Sequence, residues 1–167
     1  HMLPGDAPSR LARLRARHAE LSMGLYVLYF GARRTWPGVA HHTVWFGERH
    51  KGLLDDIFHR KRLAEDFSLY LHRPTATDPA FAPPGCDSFY VLCPVPNATA
   101  GIDWAVEGPR LRDRIVAALD ATTLPGLKET ITAEFAMTPD DFSADYLSAG
   151  GAGFSIAPHF RQSAWFR

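Results

Sequence analysis

The side chains able to do chemistry sit in a few short clusters. His41 and His42 adjoin in "AHHTVWFG" (40–47), and two imidazoles invite a metal reading. In an extended strand, neighbours point to opposite faces, so the pair cannot share one ion without a bulge. The other histidines offer no i,i+4 partner and no CxxC companion, so the spacing assigns no metal and leaves structural or ligand-lining roles. Asp78, Cys86 and Asp87 lie in or beside "RPTATDPAFAPPGCD" (73–87) and could do acid–base work. Nothing pairs with them locally, and Asp beside Pro or Gly is ordinary turn chemistry. "GGAG" (150–153) lacks the preceding strand and following helix that converge amides on a phosphate, and reads as a close-packed turn. No GxGxxG, Walker loop or GxSxG is present. What the chain has in quantity is aromatic: 11 Phe, 4 Trp and 5 Tyr. A large core uses most of these, and a long apolar ligand slot would draw on the same residues.

The elements that must position these side chains alternate in period. "RLARLRARHAEL" (10–21) is helical, with Leu11, Leu14, His18 and Leu21 as a stripe beside Arg10, Arg13 and Arg17. Ser9 is a candidate cap. Docking of this helix on its own sheet competes with lying on a membrane surface. "MGLYVLYFG" (23–31) is a strand buried on both faces, and "AHHTVWFG" a second. "HKGLLDDIFHRKRLA" (50–64) is a helix that presents Leu53, Leu54, Ile57 and Phe58 to the core. "FSLYLH" (67–72) and "SFYVLCPV" (88–95) are further strands, separated by a proline-rich ordered loop. A helical half follows: "EGPRLRDRIVAALDA" (107–121) with Pro109 near its first turn, then "LPGLKETITAEF" (124–135) with Leu127, Ile131 and Phe135 as its stripe. "TPDDFSADYL" (138–147) closes it, capped by Thr138 with Pro139 first inside. Four strands and interspersed helices predict an α+β or mixed α/β sheet with helices on one face.

The 167 residues fit one domain, able to bury roughly 70% of the surface of the unfolded chain. With 18 basic and 18 acidic residues the formal charge is zero, which argues against nucleic acid as partner. Cys86 and Cys93 match no disulfide scaffold or zinc spacing and read as reduced thiols in a cytosolic protein. No stretch reaches the ~18 apolar residues of a membrane span. The opening His1–Met2 reads as a cloning remainder.

Longer strings carry a resemblance. "SMGLYVLYFG", "AHHTVWFG", "LAEDFSLYLHRPTATDPAFAPPGCDSFYVLCPVPN", "DWAVEGPRLRDRI" and "QSAWFR" occur in order, and the chain resembles the bacterial phytoene desaturases of the flavin-dependent carotenoid desaturase family. The resemblance is weakest over 122–150. It implies an amine-oxidase-like flavoprotein larger than this chain. Residues 3–167 would be its single substrate-binding domain, without the FAD-binding segments to either side. The implied fold is α+β, a mixed sheet with helices packed on one face. The implied reaction introduces double bonds into phytoene, a C40 carotenoid, by hydride transfer to FAD. Tyr70, His72, Phe81, Phe89, Tyr90 and Phe154 are then the candidates for lining the substrate slot, and Gln162 and Trp165 for bordering the cofactor. Alone, the chain would bind no FAD and be inactive. A lipid-dissolved substrate implies cytoplasmic protein attached peripherally to membrane. The face that a flavin domain would cover predicts self-association. A freestanding apolar-ligand or protein-interaction module is the alternative.

Overall fold

Leucine, valine and aromatic residues make up most of the first strand, β1 (Gly24–Ala32), in which only Tyr29 and Gly31 are not buried. The computed structural model of the chain describes residues 10–159 and 162. Three more strands lie where the alternation predicts them: β2 (His42–Trp45), β3 (Leu69–His72) and β4 (Asp87–Val95). A fifth, β5 (Ile131–Met137), lies where the pattern predicts helix. The 127/131/135 spacing is even, so it satisfies a strand as well as a helix turn. Thr130, Ile131 and Thr132 are β-branched, and the other edge of β1 offers a ladder to pair with. The sheet order is β2-β3-β4-β1-β5. Every pairing is antiparallel rather than mixed.

One face of this sheet carries the core. Tyr26, Leu28 and Phe30 of β1, Leu69 and Leu71 of β3, and Phe89, Val91, Cys93 and Val95 of β4 pack there with the long helix α3 (Trp104–Ala121). Its buried stripe of Trp104, Gly108, Leu111, Ile115 and Leu119 follows helical period. Asp103 caps α3 by accepting from the Ala105 amide, which places the start three residues before Glu107 and leaves Pro109 inside the helix. The Tyr26 hydroxyl donates to the Gly108 carbonyl at 3.1 Å, and burial pushes its pKa up to about 12.

The shorter helices attach at the ends. α1 (Arg10–His18) leaves Leu14 54% exposed, with His18 exposed too, so the sheet does not cover these two positions of the stripe; Ser9 lies outside the described residues. α2 (His50–Phe58) buries Leu53 and Ile57 with Ala64 in a second small cluster, while Leu54 faces out. α4 (Pro139–Asp145) begins with a reciprocal cap: the Asp141 amide reaches Thr138 Oγ1, and Asp141 Oδ2 accepts from the Thr138 amide at 2.7 Å. The glycine turn after it is packed tight. Gly151 has φ +61°, and an added Cβ would come within 2.1 Å of the Pro139 carbonyl.

That turn returns the chain to its start. Residues 152–157 run antiparallel to 20–24, with bridges Leu21–Ile156 and Gly24–Ala152. Ser22 N–Ser155 O, Gly153 N–Met23 O and Ala157 N–Glu20 O bonds hold them at 2.8–2.9 Å.

Candidate functional site

Antiparallel register places residues of five strands in straight rows on the face opposite α3. Phe135, Tyr29, Tyr90, His72 and His42 are successive partners, one from each strand. Four inter-strand steps of ~4.8 Å make this row about 19 Å long. The rings touch along most of it. Phe135 stacks on Tyr29 at 4.5 Å between centroids; Tyr29–Tyr90, Tyr90–His72 and His72–His42 follow at 5.7, 4.6 and 5.2 Å. Met137, Val27, Leu92, Tyr70 and Val44 form the next row by the same registers, with Val27 buried in its middle. Val44 and Phe135, at 55% and 59% exposure, leave the ends of this face open. A register shift at Gly31/Ala32 turns Ile131 toward the core, while Phe135 stays on the open face.

Within the row lies a hollow of about 400 Å³, bordered by Tyr29, His41, His72, Pro74, Phe81, Ser88, Phe89 and Tyr90. Tyr29, Tyr90 and His72 are each shifted toward the neutral form. Burial raises the Tyr29 and Tyr90 phenols, with the neighbouring Tyr146 and Tyr70 adding to each. Burial, then His41 and His42, lower the His72 imidazole. His72 Nδ1 and Ser88 Oγ are buried with no hydrogen-bond partner among the described residues. A wider cleft of about 860 Å³ beside α2 carries Lys51, Asp55 and Lys61 among Leu54 and Phe58, a poorer lining for a hydrocarbon.

The residues named from sequence divide on this geometry. His72, Phe81 and Tyr90 meet at the hollow. Tyr70 stands one row away, its hydroxyl 2.6 Å from His42 Nδ1 and its ring 5.9 Å from Tyr90. Phe89 borders the hollow at the strand, but its ring is 4% exposed and packs on Phe30 and Trp36 in the core. Phe154 is 59% exposed in the returning segment, where its amide donates to Ser22 Oγ; it does not border the hollow. Gln162 accepts from the Glu20 amide and donates to the Glu20 and Ala157 carbonyls. Trp165 lies outside the described residues. Sequence reasoning does not reach Tyr29 or Phe135, and sets aside His41 and His42. The strand alternation used against that histidine pair does not hold, because His41 precedes β2 and its ring lies 4.3 Å from that of His42.

The loop that carries Phe81 is anchored by a buried ion pair rather than by turn chemistry at Asp87. Arg73 donates twice to the Asp87 carboxylate, at 2.9 and 3.2 Å, and Thr75 and the Trp36 amide complete it at 2.6 and 2.8 Å. Asp78 does act as a turn residue, accepting from the Ala80 amide. Cys86 and Cys93 are both free thiols, and burial pushes Cys93 up to about 12.

No family model matches the chain. Curated proteins match it over most of its length. A lycopene-forming phytoene desaturase of Paracoccus sp. (strain N81106 / MBIC 01143) is 52% identical over 147 residues, 87% of this chain and 29% of the relative. A neurosporene-forming phytoene desaturase of Rhodobacter capsulatus is 50% identical over 151 residues, with the same two shares. A phytoene dehydrogenase of Streptomyces griseus is 41% identical over 170 residues, 100% of this chain and 32% of the relative. The chain thus spans 29–32% of the length of these relatives.

Proposed function

We propose that this chain is the substrate-facing domain of a phytoene desaturase, and that its open sheet face holds phytoene while double bonds are introduced. The observation that carries this is the aromatic row across five strands, on a chain about half identical to phytoene desaturases. Desaturating a C–C bond removes a hydride and a proton, and no side chain accepts a hydride. FAD, which the resemblance implies, supplies such an acceptor when bound. The described residues do not fit it: the glycines at 150–151 pack on Pro139 and Leu21, and the Gln162 amide is consumed by Glu20 and Ala157. We therefore place the flavin on polypeptide beyond these residues and derive no step through it.

What these residues contribute is binding and environment. Apolar contact with the two rows removes hydrocarbon from water at roughly 25 cal/mol per Å². Fixing one bond of a flexible chain against an acceptor contributes several kcal/mol to lowering the barrier. Ring faces of Tyr29, Tyr90 and Phe135 suit a transient allylic cation better than a hydrogen-bonding pocket does. No described helix is long and apolar enough to cross a membrane. Peripheral attachment at the cytoplasmic surface is our reading for a lipid-dissolved substrate, with Arg10, Arg13, Arg17 and exposed Leu14 of α1 as the contacting face.

The test is partition of phytoene from detergent micelles onto the purified chain, followed by retention of the pigment precursor on gel filtration. The wild-type chain should retain phytoene, and Tyr29→Ser/Tyr90→Ser should lose at least about tenfold in affinity. Equal retention by both would remove the open face as the binding surface.

A further inference from the structure

Three imidazoles meet at the β2–β3 edge of the open face, one ring nitrogen of each lying within 4.8 Å of the others. His42 and His72 are cross-strand partners, which brings their rings to 5.2 Å. His41 is held by the same ladder through its carbonyl, which accepts from the Arg73 amide at 2.8 Å. Lying before the strand, it turns its ring onto the same side, 4.6 Å from that of His72, and the two Nε2 atoms are 2.7 Å apart. Two of the nitrogens on the far side are already engaged, His41 Nδ1 with Thr77 Oγ1 and His42 Nδ1 with the Tyr70 hydroxyl, while His72 Nδ1 is buried with no partner among the described residues. Such outer hydrogen bonds fix ring orientation and tautomer in metal-binding histidines, leaving the opposite nitrogen for the ion.

We propose that His41, His42 and His72 bind a first-row divalent cation of the zinc, nickel or copper kind through their Nε2 atoms. Three imidazoles without a carboxylate suit these borderline ions and not magnesium or calcium. In a tetrahedral site with metal–nitrogen bonds of 2.0–2.1 Å, ligand nitrogens stand about 3.3 Å apart. The His41–His72 pair must therefore open by roughly 0.6 Å and His42 close on it, within the reach of χ rotations. A fourth position remains for water or another ligand. The ion stands at the rim of the hollow, since His41 and His72 both border it.

The purified chain is titrated with Zn2+ by calorimetry and with Co2+ by visible absorption. One ion per chain is expected, with the intense ligand-field band of tetrahedral Co2+. His42→Gln, an exposed position that leaves the fold intact, should weaken Zn2+ at least about tenfold. Tyr70→Phe, which removes the hydroxyl that engages His42 Nδ1, should weaken it by about tenfold. His50→Gln/His59→Gln, away from the cluster, should bind as wild type. Binding unchanged in His42→Gln, lost in the His50/His59 variant, or equally strong for Mg2+ would overturn the proposal, as would no heat of Zn2+ binding at millimolar metal.

Discussion

Single carboxylates decide much of what holds the site in place. Asp87 is 1% exposed and neutralises Arg73, which is itself 7% exposed, at the root of the loop bearing Phe81. Asp87→Ala strands a buried guanidinium and should cost about 3–5 kcal/mol in urea denaturation, whereas Arg73→Met/Asp87→Leu should recover most of it. Asp56 collects Arg49, Arg60 and Arg62 around one carboxylate. The Arg62 hydrogen bond above all, against an opposing effect of burial, holds its pKa below the ordinary carboxylate value. A depressed carboxylate stabilises the fold above its unfolded pKa of about 3.9, and this is lost as acid protonates it. Asp56→Asn should therefore destabilise the chain at pH 7, and the gap to wild type should narrow below about pH 4 in parallel denaturation curves. The role of Asp87 is not legible in sequence, because its partners lie 12, 14 and 51 residues away.

Elements were readable where periodicity was unambiguous. β1, β3 and β4 and the cap of α4 lie within a residue or two of where spacing and residue type place them. β5 was not, since a four-residue spacing serves both periods and only the vacant edge of β1 decides between them. That one element supplies Phe135, so reading it as helix hides one end of the aromatic row. Phe89 and Tyr90 show the opposite limit. Strand alternation already says that neighbours cannot both face the ligand, and which one does is settled by α3 packing over Phe89. The His41–His42 pair is set aside as a metal site because alternation is extended one residue beyond the strand.

At the scale of the molecule, the sheet has one face sealed by α3 and one bearing Val44, Tyr29, Tyr90 and Phe135 toward solvent. Strand order and register create that face, and neither is written in any local pattern. Apolar surface of this kind favours association. Light scattering should show mass per particle rising with concentration, and Val44→Lys/Phe135→Glu should return it to the monomer; a wild-type monomer at every concentration would contradict this.

The antiparallel contact between residues 20–24 and 152–157 has a mechanical consequence. Force applied through residues 20 and 157 loads that short ladder from one end, so its bonds part in turn, like a zip fastener. The barrier there is low. Beyond it, the five-stranded sheet meets the load only after this outer clasp has yielded, which makes the clasp a strain-relief joint shielding the aromatic face from tugging at either flank.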